Sequence, residues 1–203
     1  MKLELSIETS SRSASVAARL GERVARSELA STRAHASDLL PALDQLVREL
    51  GAQPREAAAV YVGTGPGSYT GLRVGIATAL GIARSTGAAL VGVCSFEVLL
   101  WERLAPGESG GVLLDGRSGG YYHARYRREA GELVELLAPA ILPEAQARER
   151  AAQDGRTLGV EDVPTALALL ELGAARLARS GPMQPAEVQP LYLRPFRATE
   201  RTR

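Results

Sequence analysis

Alternation of apolar and polar residues predicts that the chain opens with β-strands. Leu3, Leu5 and Ile7 alternate with polar residues up to Glu8, which is the pattern of a half-buried strand. Residues 14–20 and 24–29 have strand-like composition and are separated by a short turn. We therefore predict an antiparallel meander of three short strands.

Two helices with contrasting faces follow the meander. The first has a leucine stripe at helical spacing, and the second, predicted over residues 72–86, is rich in small residues. Short apolar runs at residues 57–62 and 89–93 predict buried strands on either side of the second helix. Packed side by side, the two helices are candidates for a surface that a partner helix pair covers. The alternative is that both stripes cover the protein's own sheet. The candidate partner-binding residues are Leu39, Leu40, Leu43, Leu46, Val47, Arg73, Ile76, Ala79, Leu80 and Ala83.

The second half of the chain begins as the first half does. Each half opens with an apolar strand that ends in an acidic residue and a turn. The element order is typical of a ribonuclease-H-like lobe, and two such lobes in tandem form the α/β fold of actin-like ATPases, sugar kinases and Hsp70 proteins. We expect mixed sheets with flanking helices, an N-terminal lobe at residues 1–105 and a smaller C-terminal lobe at residues 106–203. In that fold the acidic turns face a nucleotide cleft. The candidate cleft residues are Glu8, Thr9, Ser10, Asp115, Gly116 and Arg117.

Glycine is concentrated between the second apolar run and the second helix. A Walker loop needs a lysine at the helix start, where this chain has Leu72 and Arg73, and a dinucleotide fingerprint needs glycine where it has Thr70. Three interpretations remain open: a tight backbone turn, a loop that binds phosphate through its N–H groups, and a loop that contacts a partner. The loop residues are Gly65, Pro66, Gly67, Ser68, Tyr69, Thr70 and Gly71.

Composition excludes several classes of function. The net charge is +1, which lacks the broad basic field of a protein that binds nucleic acid alone. Lys2 is the only lysine, so the interior of the chain offers no Schiff-base or phosphate-loop lysine. Cys94 and two distant histidines, His35 and His123, predict neither a disulfide nor a metal site. No nucleophile–base pair is evident, and no leader or membrane-spanning run is present, so we expect no catalytic residue and a cytoplasmic protein.

Several strings resemble the TsaB family, also called YeaZ, and the likeness runs over nearly the whole chain. They are IETS at residues 7–10, HASDLLP at residues 35–41, GPGSYTGLRVG at residues 65–75 and PLYLR at residues 190–194. The DGR string at residues 115–117, together with Tyr122, resembles the second-lobe element of the family. The glycine-loop string is the most specific of these.

The resemblance implies a role in an assembly rather than independent catalysis. TsaB is the actin-like paralogue and dimerisation partner of the catalytic subunit TsaD, in the bacterial machinery that makes threonylcarbamoyladenosine in tRNA. TsaD carries a metal-binding histidine pair that TsaB lacks, as this chain does. The family pairs with TsaD through its first-lobe helices, the ATPase TsaE joins at that junction, and TsaB pairs with itself when alone. Contact with tRNA is expected only through the complex, and no membrane is involved.

Glu8 departs from the family pattern, which has aspartate at this position. We expect the extra methylene to move a carboxylate into the cleft. The alternative function is a nucleotide-binding or ATP-hydrolysing enzyme, in which Glu8 and Asp115 would hold magnesium. No cofactor is firmly implied, and ATP or ADP with magnesium at a subunit interface is the one candidate.

Overall fold

The computed structural model describes residues 1–29, 35–116, 120–159 and 161–193. Within these ranges the chain forms two sheets flanked by helices, as expected for an α/β protein. The strands are β1 (Leu3–Glu8), β2 (Ala14–Leu20), β3 (Arg23–Leu29), β4 (Ala57–Gly63), β5 (Ala89–Val93), β6 (Ser109–Asp115), β7 (Tyr121–Glu129), β8 (Glu132–Leu142) and β9 (Thr157–Leu158). The helices are α1 (His35–Glu49), α2 (Tyr69–Thr86), α3 (Ser95–Trp101), α4 (Glu144–Ala151) and α5 (Ala166–Ser180).

The first sheet has the strand order β3-β2-β1-β4-β5. Its first three strands pair antiparallel, which confirms the predicted meander, and β4 and β5 run parallel to β1. Side chains on one face of β1, β2 and β4 form a core with α1 and α2, while side chains on the other face pack against α3 and α5. Both faces of this sheet are therefore covered.

The second sheet has the order β8-β7-β6-β9 and shares a core with the first. Val112, Ala124 and Tyr126 from this sheet lie in the same buried cluster as Tyr61 from β4. Helix α5 follows the second sheet in the chain but packs on the first. A division near residue 105 thus separates the two sheets along the sequence without separating two cores.

The leucine stripe of α1 is buried, which corrects part of the predicted partner surface. Leu39, Leu43, Leu46 and Val47 are at most 3% exposed and pack against the first sheet, and Ile76 and Ala79 of α2 are buried in the same core. These six side chains cannot contact a partner in this conformation, because the chain's own sheet covers them. Leu40 is 54% exposed, Arg73 is exposed, and Leu80 and Ala83 are half-buried. For these four positions, partner contact stays a prediction.

Within the described residues, no helix combines the length with the hydropathy that a bilayer crossing requires.

Candidate functional site

Four glycines spaced four residues apart bring the loop after β4 and the start of α2 against the turn that follows β1. A Cβ atom at any of them would lie 2.1–2.3 Å from an atom of residues 8–10, closer than real side chains approach. The turn is also bound to the loop and helix, because Thr9 Oγ1 donates to the carbonyl of Gly71 at 2.8 Å and Ser68 N–H donates to the carbonyl of Ser10 at 2.6 Å. The four glycines are Gly63, Gly67, Gly71 and Gly75. This packing favours the tight-turn interpretation of the glycine loop.

Several backbone N–H groups in and next to the loop are bonded within the protein. Gly65 N–H donates to Ser95 Oγ at 3.1 Å, and Thr64 N–H donates to the carbonyl of Val93 at 2.8 Å. Ser68 is the N-cap of α2, and its side-chain oxygen accepts from Gly71 N–H at 3.2 Å. A phosphate-binding loop needs several free N–H groups that point at one place. The donors named here are bonded within the protein and are therefore not free for a phosphate.

Glu8 is fully buried, and the expectation that its carboxylate enters the cleft is wrong. Its Oε1 accepts from Ser10 N–H at 2.7 Å, and its Oε2 accepts from Ser95 Oγ at 3.0 Å. The space for the extra methylene comes from Gly63, where a Cβ would lie 2.1 Å from Oε2. Burial raises the pKa of the Glu8 carboxyl above its ordinary value, while the hydrogen bonds from Ser10 and Ser95 oppose that rise. A carboxylate enclosed in this way is not exposed to coordinate a magnesium ion in the cleft.

A cleft of about 540 Å³ separates the glycine loop from the second sheet. Of the predicted cleft residues, Ser10, Asp115 and Gly116 line it. Glu8 and Thr9 are buried beside it, and Arg117 lies outside the described residues. The remaining lining residues are Ser11, Arg12, Pro66, Gly67, Ser68, Tyr69, Thr70, Ser95, Phe96, Leu99, Leu114, Tyr122, Asp162, Val163 and Pro164.

The lining of the cleft offers the phosphates of a nucleotide little positive charge. Arg12 supplies the one basic side chain among the described lining residues, and it pairs with Glu161 at 3.2 Å. Asp115 and Asp162 add negative charge on the same cleft. In the described part of the chain, no three histidine, cysteine or acidic side chains are grouped as metal ligands. The residues that the sequence proposed for nucleotide chemistry are therefore only partly brought together.

Cys94 and His123 have structural roles. Burial raises the pKa of the Cys94 thiol to about 11, which keeps it protonated and unreactive near neutral pH. His123 Nε2 lies 3.1 Å from Asp154 Oδ2 beneath α4, with both side chains buried. Arg125 approaches the other oxygen of Asp154 at 3.5 Å. Asp154 could not be identified as the partner of His123 from the sequence, because the two residues are 31 positions apart in the chain.

Besides the cleft, the exposed side of α1 and α2 also lies near the glycine loop. Arg73 Nη1 donates to Tyr69 Oη at 2.7 Å, and Tyr69 stacks on Tyr192 with ring centroids 5.0 Å apart. Leu191 N–H donates to the carbonyl of Thr64 at 2.8 Å, which holds the C-terminal segment across the loop. Sequence reasoning missed the exposed Arg84, although it lies on α2 at helical spacing from Arg73. His35 begins α1, and its side chain lies outside the described residues.

Comparison with known proteins identifies relatives of the whole chain. The family model described as "TsaD: tRNA N6-adenosine threonylcarbamoyltransferase" matches residues 26–171. An uncharacterized protein of Mycobacterium tuberculosis is 30% identical over 185 residues, covering 86% of this chain and 80% of that protein. The tRNA threonylcarbamoyladenosine biosynthesis protein TsaB of Haemophilus influenzae is 26% identical over 219 residues, covering 94% of this chain and 92% of that protein.

Solved structures support the fold. The structure described as YeaZ from Pseudomonas aeruginosa has a TM-score of 0.81 and 24% identity, and covers 95% of this chain and 100% of that chain. A second structure from the same organism, described as similar to peptidase YEAZ, has a TM-score of 0.83 at the same identity. These likenesses and the two observed sheets confirm the expected α/β, actin-like fold. By its family-model match and its curated relatives, the chain belongs to the TsaB (YeaZ) family.

Proposed function

We propose that this chain is a non-catalytic assembly subunit that binds and supports a TsaD-type catalytic subunit in forming N6-threonylcarbamoyladenosine on tRNA. The TsaB family is part of the TsaD-containing tRNA modification pathway. The observation that carries the proposal is the burial of Glu8, because the acidic residue that a nucleotide-processing relative would present to the cleft is enclosed within the fold.

The chemistry of the cleft supports a role without independent turnover. The Glu8 carboxylate is enclosed, and the N–H groups of Gly65 and Gly71 in the loop are bonded within the protein. The alternative, an ATP-hydrolysing enzyme, is not favoured by these contacts. Titration calorimetry with ATP and magnesium separates the two functions. We expect no turnover by the pure chain, and sustained hydrolysis would favour the alternative.

The surface beside the glycine loop supports partner binding. Leu40 is a large apolar side chain that is 54% exposed on α1, and α1 contacts α2. Arg73 and Tyr69 lie at the start of α2 together with Tyr192. Aromatic and arginine side chains of this kind are enriched in the centres of protein interfaces. The proposed docking surface is therefore the exposed side of α1 and α2 next to the loop.

The same proposal includes a second protein partner, self-pairing of the isolated chain and the route of contact with tRNA. A TsaE-type ATPase would join where this chain meets the catalytic subunit, and the isolated chain would pair with itself through the same helices. Contact with tRNA would come through the complex, since the net charge of +1 provides no broad basic field. We place this assembly in the cytoplasm, where tRNA is modified.

The test is co-elution of the chain with its cognate TsaD-type subunit, monitored by size-exclusion chromatography with light scattering. Leu40→Glu should weaken the complex, because it places a charge on the proposed docking surface. Val24→Glu is the matched control, since Val24 is 45% exposed on β3, away from α2. Equal binding by both variants would exclude Leu40 from the interface, and absence of any complex with the wild-type chain would contradict the proposed function.

A further inference from the structure

Helix α2 presents two arginines on one exposed side and no acidic residue. Arg73 and Arg84 are both exposed, and the 18 residues of the helix include neither aspartate nor glutamate. Neither arginine forms an ion pair within the described residues. The charged side chains on the exposed side of α2 are therefore both positive.

The spacing places both arginines on the same side of the helix. They are eleven residues apart, which is about three turns of an α-helix with a residual rotation of roughly 20°, so their side chains project in nearly the same direction about 16 Å apart. Ala77 and Gly81, both exposed, lie between them. The half-buried Leu80 lies on the same side, so the centre of this side is apolar and each end carries one positive charge.

This arrangement has a consequence for self-pairing. In a two-fold contact between copies, residue i of one copy meets residue j of the other, and j meets i. The midpoint between the arginines falls between Thr78 and Ala79, and the residues nearest to it on this side of the helix are the exposed Ala77 and the half-buried Leu80. Antiparallel pairing about that point would bring Arg73 of each copy towards Arg84 of the other. Two sets of like charges would then repel each other.

We infer that Arg73 and Arg84 weaken self-pairing through α2 and favour a different protein whose docking helix carries a carboxylate near each end of the contact. The matching carboxylates would lie about 16 Å apart, which corresponds to eleven helical residues. Repulsion against the wrong partner and attraction to the right one are the two components of specificity. This inference rests on the proposed function, because it describes the chemistry of the partner at the same surface.

The first experiment measures self-association by sedimentation velocity. The chain is compared with the double charge-reversal variant Arg73→Glu/Arg84→Glu and with an equimolar mixture of the two. Each protein alone has like charges at the contact, whereas the mixture has opposite charges. We expect the mixture to associate roughly fivefold more tightly than the wild-type chain alone, which is the effect of a few weak surface charge pairs. A mixture no tighter than wild type would overturn the inference.

The second experiment measures binding to the cognate TsaD-type subunit at about 0.05 M and about 0.5 M salt. We expect the double reversal to loosen binding roughly tenfold at low salt, and high salt to reduce the difference from wild type, because surface charge pairs are screened. Arg26→Glu/Arg55→Glu is the control, since it makes the same charge change at two exposed positions outside α2. Equal loosening by both double variants would overturn the inference.

A single-site variant separates the effect of charge from the loss of an internal hydrogen bond. Arg73 donates to Tyr69, whereas Arg84 has no hydrogen bond within the described residues, so Arg84→Glu alone tests the charge without disturbing an internal contact. If the wild-type chain fails to bind the TsaD-type subunit, the proposed function is overturned together with the partner part of the inference, and the mixing experiment still decides whether Arg73 and Arg84 weaken self-pairing.

Discussion

Replacing Gly63 with alanine would force a methyl group against the buried carboxylate of Glu8. The new Cβ would lie 2.1 Å from Oε2 and 2.6 Å from Cδ, whereas ordinary contacts begin at 3.4 Å. The carboxylate cannot retreat freely, because Ser10 N–H and Ser95 Oγ hold it at 2.7 Å and 3.0 Å. Gly63→Ala should therefore both overpack the core and break at least one hydrogen bond to a buried charged group.

The magnitude follows from these two effects. Overpacking a core costs about 1–3 kcal/mol, and a lost hydrogen bond to a buried charged group costs about 1–3 kcal/mol more. We expect Gly63→Ala to lower the free energy of unfolding by about 2–6 kcal/mol. In a domain of this size the midpoint of thermal unfolding should fall by roughly 10 °C.

A double-mutant cycle with Glu8→Asp tests the proposed cause. Aspartate is shorter, so its carboxylate withdraws from residue 63 and leaves room for the alanine methyl group. Glu8→Asp/Gly63→Ala should then cost less than the sum of the single variants, by about 1 kcal/mol or more. Urea unfolding followed by circular dichroism measures all four proteins. A cost below about 0.5 kcal/mol for Gly63→Ala, or strictly additive costs, would refute the reasoning.

Three further predictions concern other buried or exposed positions. Burial raises the pKa of Glu8 above its ordinary value of 4.5. The contribution of Glu8 to the free energy of unfolding is therefore complete below pH 4.5 and is lost as the pH rises through the pKa of the folded state. Urea unfolding at several pH values should show this loss in the wild type but not in Glu8→Gln. Leu43→Ala should lower the free energy of unfolding by about 3 kcal/mol, because Leu43 is buried. Leu40→Ala should change the free energy of unfolding by less than about 0.5 kcal/mol, because Leu40 is exposed. Equal costs would contradict the observed orientation of α1. Arg176→Met should lower the free energy of unfolding by about 3 kcal/mol, because it removes the ion pair that the largely buried Glu97 forms at 2.6 Å. An unchanged midpoint of chemical denaturation would contradict a stabilising role for that pair.

Much of the fold could be predicted from the sequence because local patterns determine it. The alternation at residues 3–7 and the apolar runs at residues 57–62 and 89–93 each correspond to an observed strand of the first sheet. The leucine stripe correctly predicted α1 but not its orientation, since an apolar stripe packs equally well on a partner or on the chain's own sheet. The return of α5 to the first sheet was also not predictable, because nothing local distinguishes one sheet from the other as its packing surface.

The site was predicted less completely, for reasons that involve contacts distant in sequence. The acidic residue at position 8 suggested metal chemistry, but its burial depends on Gly63 and Ser95, which lie 55 and 87 positions further along the chain. The fourfold glycine spacing was visible in the sequence, whereas the turn against which those glycines pack was not. Ser10, Asp115 and Gly116 do line one cleft, because the strands β1 and β6 both end beside it.

The central claim is that this chain contributes binding surface rather than chemistry to threonylcarbamoyl transfer. The most direct measurement is a transfer assay on tRNA, with this chain and its cognate TsaD-type subunit each supplied alone and together, and with threonylcarbamoyl-AMP as donor. We predict no modified adenosine with this chain alone and markedly more product when both subunits are present than with the TsaD-type subunit alone. Modification by this chain alone, or the same yield from the TsaD-type subunit with and without it, would contradict the claim.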